Sequence, residues 1–159
     1  MATYQTTYSD TPAKGFPGQI ANEEKHNQIS RTPTTDIPFG APAFRVPGAG
    51  NDHKCAATGA DFLGLAVLTP AIGVRLSDGF ASGYAANVNG GAAITASLMT
   101  DGQMFVTAGG PVAPGDAVTY NAGTNRYTAD GGTAIPGAFF DTTGADGDIV
   151  EVSLKHRSA

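Results

Sequence analysis

The side chains able to do chemistry are few and scattered. His53 and Cys55 stand two apart, a spacing that can offer two metal ligands. A closed zinc site takes four ligands, and His26 and His156 are far off in the chain. The pair therefore reads as an exposed histidine beside a small buried cysteine. Asp141, Asp146, Asp148 and Glu151 gather in and just after a glycine-containing loop, where oxygen ligands suit calcium. Their offsets miss those of the helix–loop–helix calcium site, so a solvated acidic turn is expected. Ala108-Gly109-Gly110-Pro111 is followed by no Gly-Lys-Ser/Thr and opens no helix, so it is a turn and not a phosphate loop. Hydrolase signatures are missing too. Three histidines, one cysteine and no tryptophan are a thin stock for a nucleophile, its base and an orienting partner. The expectation is a protein that is not an enzyme, with no cofactor and no metal.

The elements that carry these residues fall into two unlike stretches. Residues 1–58 show almost no hydrophobic periodicity. Pro12, Pro17, Pro33, Pro38, Pro42 and Pro47 alternate with Gly15, Gly18, Gly40, Gly48 and Gly50. Proline fixes φ and lacks an amide donor, which opposes central strands and long helices. Yet Tyr4, Tyr8, Phe16, Ile20, Ile29, Phe39 and Phe44 are spaced apolar anchors, unlike a charged disordered tail. Residues 1–58 are expected to form an extended arm lying on another surface. Within it, Ile20–Ser30 has helical composition, with Asn22-Glu23-Glu24 as a fair start, so a short helical turn is one option there.

Residues 59–159 read as one β-domain. Phe62–Leu68 is a short apolar run closed by Thr69-Pro70. Ile72, Val74 and Leu76 alternate with smaller or polar residues. Ile94–Leu98 and Gln103–Thr107 alternate on either side of Asp101-Gly102, which predicts a hairpin. Pro114-Gly115 suits a type II turn into the strand Val118–Tyr120. Asn121–Asn125 turns that strand back into Arg126–Thr128. Pro136-Gly137 interrupts Thr133–Phe140, which predicts an edge position or a bulge. Ile149–Leu154 closes the domain. The fold class expected is all-β: a small antiparallel barrel or jelly-roll-like sandwich with a long N-terminal arm. Its core would draw on Leu63, Leu65, Val67, Ile94, Leu98, Phe105, Val118, Ile135, Phe139, Val150 and Val152.

Charge and composition narrow the partners. Charged residues make up 14%, against a usual share near ~25%, which suits a surface used for protein contacts. Residues 1–58 hold five basic and five acidic groups. Residues 59–159 hold four basic against nine acidic groups and net −5. An acidic domain repels phosphate backbones, so nucleic acid is not an expected partner. No apolar run is long enough for a membrane helix, and no secretory leader is visible. A single cysteine forms no intrachain disulfide framework.

Several stretches together resemble a known family. Met1-Ala2-Thr3-Tyr4-Gln5-Thr6-Thr7-Tyr8-Ser9-Asp10, Gly18-Gln19-Ile20-Ala21-Asn22 and Asn27-Gln28-Ile29-Ser30-Arg31-Thr32 are similar to the opening of the structural cement proteins of tailed bacteriophages. These are also called capsid decoration or head-stabilising proteins. Ala60-Asp61-Phe62-Leu63-Gly64, Val112–Val118 and Ile135–Thr142 extend the resemblance over nearly the whole chain. Asp52-His53-Lys54-Cys55 departs from it by being more polar. The resemblance implies a virion protein made in the host bacterial cytoplasm. It would sit on the outer surface of an icosahedral capsid, cement neighbouring major capsid subunits and stabilise the expanded head. It implies the major capsid protein and the chain itself, as a dimer or trimer, as partners. Tyr4, Tyr8, Phe16, Ile20, Ile29, Arg31, Phe39, Phe44 and Arg45 are the expected contact residues of the arm. Two rival functions share the composition: a phage tail or baseplate β-module, and a carbohydrate-binding β-sandwich, which would want exposed aromatic rings in a groove.

Overall fold

A computed structural model of the chain describes residues 14–69, 74–75, 79–80, 83–86 and 95–155. These form thirteen strands and no helix. They are β1 (Ile20–Pro33), β2 (Ile37–Pro38), β3 (Pro42–Arg45), β4 (Lys54–Ala56), β5 (Phe62–Ala66), β6 (Val74–Arg75) and β7 (Gly79–Phe80). After them come β8 (Gly83–Tyr84), β9 (Ala96–Thr107), β10 (Ala117–Asn121), β11 (Arg126–Thr128), β12 (Thr133–Phe140) and β13 (Ile149–Lys155). Nine strands make one sheet in the order β1-β4-β3-β5-β9-β13-β12-β10-β11, and β1 also pairs with β9. The other four form two small ribbons, β2–β8 and β6–β7. The all-β expectation is borne out.

Strand β9 organises the sheet. On its N-terminal side, β1, β4, β3 and β5 return to it as a closed cycle of pairings. On its C-terminal side, β13, β12, β10 and β11 follow, and Tyr127 of β11 bridges back to Ala108, next after β9. Two cycles thus share one strand. All the strand pairings are antiparallel except β1–β4. Closure leaves few unpaired edges, the commonest liability of a β-protein.

Four expectations need correction. Residues 20–30 are strand, not helix: β1 lies antiparallel to β9, with Ile29 opposite Leu98 and Ile20 opposite Met104. Tertiary pairing overrides the weak helical composition there. The boundary expected at residue 58 is no seam in the sheet, because β1, β3 and β4 precede it and pair within the same nine strands as β5 and β9. Asp101-Gly102 is not a hairpin. It lies inside β9, paired with Lys155 and Leu154 of β13, and opposite it β1 bulges between Asn22 and Asn27. Gly102 has φ 135°, and a Cβ there would stand 2.9 Å from the His26 Cβ. The glycine lets the bulge pass close overhead.

The fourth correction concerns the core. Phe105 and Phe139 are half-buried, while Met104, Val106, Ala138 and Phe140 are buried in their place. In β9 the inward positions are even at both ends, Ala96 and Leu98 and then Met104 and Val106, with Met99 buried as well where β5 and β1 both pair with it. A hairpin at Asp101-Gly102 would have reset that phase, but the continuous strand keeps it. In β12 the bulge at Pro136-Gly137, with Gly137 at φ 73°, shifts the inward phase from Ile135 to Ala138 and Phe140. Leu63, Leu65, Val67, Leu98, Val118, Ile135, Val150 and Val152 are buried as expected. Ile94 lies outside the described residues, as do Ile72 and Leu76.

The N-terminal segment is tied down where two glycines meet. Gly18 (φ 85°) and Gly40 (φ 78°) stand back to back, and a Cβ on Gly18 would be 2.7 Å from the Gly40 nitrogen. The Gly18 N–H donates to the Phe105 carbonyl at 2.8 Å, and the Leu68 N–H donates to the Gly18 carbonyl at 2.7 Å. The buried Tyr127 hydroxyl donates to the Gly40 carbonyl, joining this crossing to the second cycle. Among the described residues no helix is long and apolar enough to cross a membrane.

Candidate functional site

The residues expected to touch a partner divide sharply. Tyr4 and Tyr8 lie outside the described residues. Phe16 is 71% exposed, the one large hydrophobic residue so exposed among those described. It stands in a tight turn in which the Gln19 N–H donates to the Phe16 carbonyl at 3.0 Å. Ile20 and Ile29 are half-buried on β1 and pack against the core. Phe39 (7% exposed) and Phe44 (4%) belong to the core itself. Phe39 meets Tyr84 edge-on at 5.2 Å, and Phe44 meets Phe62 at 6.1 Å. Such rings offer a partner almost no area, so their apolar character is explained by folding.

The two arginines come from strands on either side of β4. Arg45 pairs with Cys55 in the β3–β4 ladder, and Arg31 precedes Thr32, which pairs with Lys54 in the β1–β4 ladder. Arg31 donates from Nη1 to the Ser30 carbonyl at 2.8 Å, while its Nε is buried without a partner. Neither arginine forms an ion pair among the described residues. Burial pushes the Cys55 thiol up to about 11, with the nearby Arg31 charge acting in the opposite sense. Such a thiol stays protonated and unreactive near neutral pH. His53 beside it is exposed.

Two acidic residues of the second cycle serve their own backbone, and two bond to side chains. Asp116 Oδ2 accepts from the Ala113 N–H at 2.9 Å, and Asp148 Oδ2 accepts from the Ala145 N–H at 2.9 Å. Asp146 pairs with Arg126 at 2.6 Å. Asp141 Oδ2 accepts from Gln103 Nε2 at 3.1 Å and from the Ser153 hydroxyl. These carboxylates are divided among different partners, and the described residues contain no group of three ligands able to hold a metal.

One surface feature escaped the sequence. A groove of about 470 Å³ opens on the outer face of β12, β13, β9 and the β1 bulge. Gln103, Ser153 and Phe139 line it, together with the exposed Lys25 and Lys155. Its only sequence signal is the odd phase of β9 and β13, which is legible once the bulge is known.

The described residues thus form an all-β fold of two cycles on one shared strand, with an exposed aromatic at its N-terminal edge. The family model described as structural cement protein (E217 gp24/Pam3 gp6) matches residues 4–155. The chain belongs to this phage structural cement protein family. Among solved structures, it is similar to a chain in the capsid of Myoviridae phage XM1, at 14% identity and a TM-score of 0.66, covering 97% of this chain and 98% of that one. That likeness supports the shared fold. The base of head fiber gp8.5 from bacteriophage phi29 aligns at 9% identity and a TM-score of 0.44, over 85% of this chain and 99% of that one. No curated protein matches the chain. Among the described residues Phe16 is exposed, and Arg31 and Arg45 are in no ion pair.

Proposed function

We propose that this cement-family chain binds the outer surface of an icosahedral phage capsid, ties neighbouring major capsid subunits together in the expanded head, and catalyses no reaction. The observation that carries the reading is the family match over residues 4–155. The surface agrees with it: low charge, one large exposed aromatic, and two arginines free to meet acidic groups. Residues before the sheet serve as the reaching arm, with Tyr4, Tyr8 and Phe16 as its anchors. Ile20, Ile29, Arg31 and Arg45 form the part of the contact nearest the sheet. The partners are the major capsid protein and sister copies in a dimer or trimer, and neither nucleic acid nor membrane. Burying a large side chain such as Phe16 on a partner contributes roughly 1.5–3 kcal/mol.

Truncation provides the test. Deleting residues 1–16 removes the anchors and leaves every strand in place. The shortened protein is expected to fold and to lose its hold on expanded capsids. Undiminished decoration would assign the binding to the sheet surface. Recovery of the intact protein in purified tails and not in heads would overturn the capsid reading altogether.

A further inference from the structure

We propose that the outer groove of β12, β13, β9 and the β1 bulge is a saccharide-binding site, with Phe139 as its stacking platform and Lys25 and Lys155 selecting a sugar that carries a carboxylate. The strand registers build it. Phe139 lies opposite Ser153, Ser153 opposite Gln103, and Gln103 opposite Asn22, so one row of side chains crosses four strands. At the spacing of neighbouring strands the row is about 14 Å long, room for about two or three sugar rings. Lys155 and Asp101 face each other two residues along the same strands. The volume of about 470 Å³ lies within the ~300–1,000 Å³ usual for small-molecule sites.

The polar groups of the row are held in place. Ser153 alternates with the inward Val152 and Leu154 and so faces outward, yet it is only 9% exposed. Its hydroxyl donates to Asp141 Oδ2 and accepts from Gln103 Nε2 at 3.3 Å, and Gln103 Nε2 also donates to Asp141 at 3.1 Å. Asp141 thus fixes the Gln103 amide, as a supporting group fixes a binding side chain.

The chemistry selects the occupant. A sugar hydroxyl both donates and accepts, and a row of hydroxyl and amide side chains beside a carboxylate offers both. The C–H face of a sugar ring covers an aromatic ring, and the half-buried Phe139 supplies one at the end of the row. Lys25 and Lys155 stand against Asp101 alone among the charged groups of the described lining, and none of the three is in an ion pair among the described residues. That lining is complementary to an anionic sugar. A peptide strand has less to gain. At Gln103 and Ser153 the strands have neighbours on both sides, so no sheet edge is offered. A phosphate would want arginine forks or a nest of backbone N–H groups, and the described lining has no arginine. Where many copies share one particle, weak sites of this kind add up to firm attachment. The inference concerns the free protein, so its failure would leave the capsid reading standing.

The test is binding of the full-length protein to an array of uronic-acid and sialic-acid oligosaccharides printed beside their neutral counterparts. At least one acidic glycan should be retained, and its neutral counterpart at least about tenfold more weakly. Phe139→Ala should weaken that binding at least about tenfold. The double change Lys25→Gln and Lys155→Gln alters only exposed side chains. It should weaken the same binding by about tenfold and remove its dependence on salt. Retention of no acidic glycan by the unaltered protein would overturn the proposal. So would binding that survives both variants, or equal retention of acidic and neutral forms. Displacement of the bound glycan by inorganic phosphate or a polyglutamate peptide at equal concentration would overturn it in favour of a general anion site.

Discussion

The two cycles that meet at β9 have the same number of strands but differ in charge. Residues 14–66, which build the first with β9, carry five basic and five acidic side chains. Residues 101–155, which build the second, carry seven acidic against two basic. In the second cycle two of the carboxylates, Asp116 and Asp148, are used locally. Ala113-Pro114-Gly115-Asp116 and Ala145-Asp146-Gly147-Asp148 are the same turn made twice. In each the glycine has positive φ (90° and 86°), and the aspartate N–H donates back to the alanine carbonyl at 3.1 Å. In each the aspartate carboxylate also accepts from the alanine N–H, and a strand of the second cycle follows at once. The first cycle opens on a turn of the same kind: in Phe16-Pro17-Gly18-Gln19 the glycine has φ 85°, the Gln19 N–H donates to the Phe16 carbonyl at 3.0 Å, the Gln19 side-chain oxygen accepts from the Phe16 N–H at 3.1 Å, and β1 follows at once. It closes through a parallel ladder of two residue pairs, and β1 has three register shifts along β9. Local turns thus start strands in both cycles, and what sets the first apart is a closure that relies on long-range pairing around Ile37, Phe39, Phe44 and Leu65. The segment proposed to reach a partner precedes the first.

The largest effects should come from the shared core. Phe140→Ala in the second cycle and Phe44→Ala in the first should each lower stability by about 3–5 kcal/mol. Because both cycles contain β9, each variant should still unfold in one step, with near- and far-ultraviolet circular dichroism changing together. Two separated transitions in either variant would break the picture of cycles coupled through one strand.

Gly40→Ala should come next, at about 1–2 kcal/mol, since φ is positive and the Gly18 nitrogen lies 2.9 Å from the new Cβ. Gly115→Ala and Gly147→Ala meet no neighbouring atom, so only their backbone conformation is penalised, by about 1 kcal/mol. Equal losses at these two positions in denaturant titrations would sharpen the claim that the turns are equivalent. Unequal losses would break it.

Alkaline pH should separate the cycles by onset. The Cys55 thiol rises from 9.0 to about 11 on folding through burial, and the Tyr120 hydroxyl rises from 10.0 to about 12 for the same reason. Both groups are neutral when protonated, so a raised pKa means that the folded state holds its proton more tightly. Their contribution is complete below the unfolded value and declines as pH rises toward the folded one. Stability of the whole fold should therefore begin to fall from about pH 9 through Cys55 of the first cycle, and fall more steeply from about pH 10 through Tyr120 of the second. Cys55→Ala should remove the earlier decline from a series of melting curves. The smallest effect belongs to Arg126→Ala, because its pair with Asp146 is largely exposed: about 0–1 kcal/mol, and less in high salt.

What the sequence determined by itself was chiefly local. The β class followed from period-two runs and close turns. Gly115 takes the positive φ that Pro114-Gly115 required, and Pro136-Gly137 forms the expected bulge. Arg126–Thr128 returns along β10 after its predicted turn. The distant pairings were decided only by the tertiary structure. Asp101-Gly102 has the composition of a hairpin, yet β13 and the bulged β1 hold it within a long strand, and that one difference misplaced Phe105. Ile20–Ser30 has no stripe of its own and becomes a strand because β9 offers a ladder. The apolar residues between Pro33 and Phe44 appeared to be anchors for another molecule, because nothing nearby in sequence could cover them. Phe62, Tyr84 and β9 cover Ile37, Phe39 and Phe44 from 18 or more positions away, and no local pattern records a contact of that range.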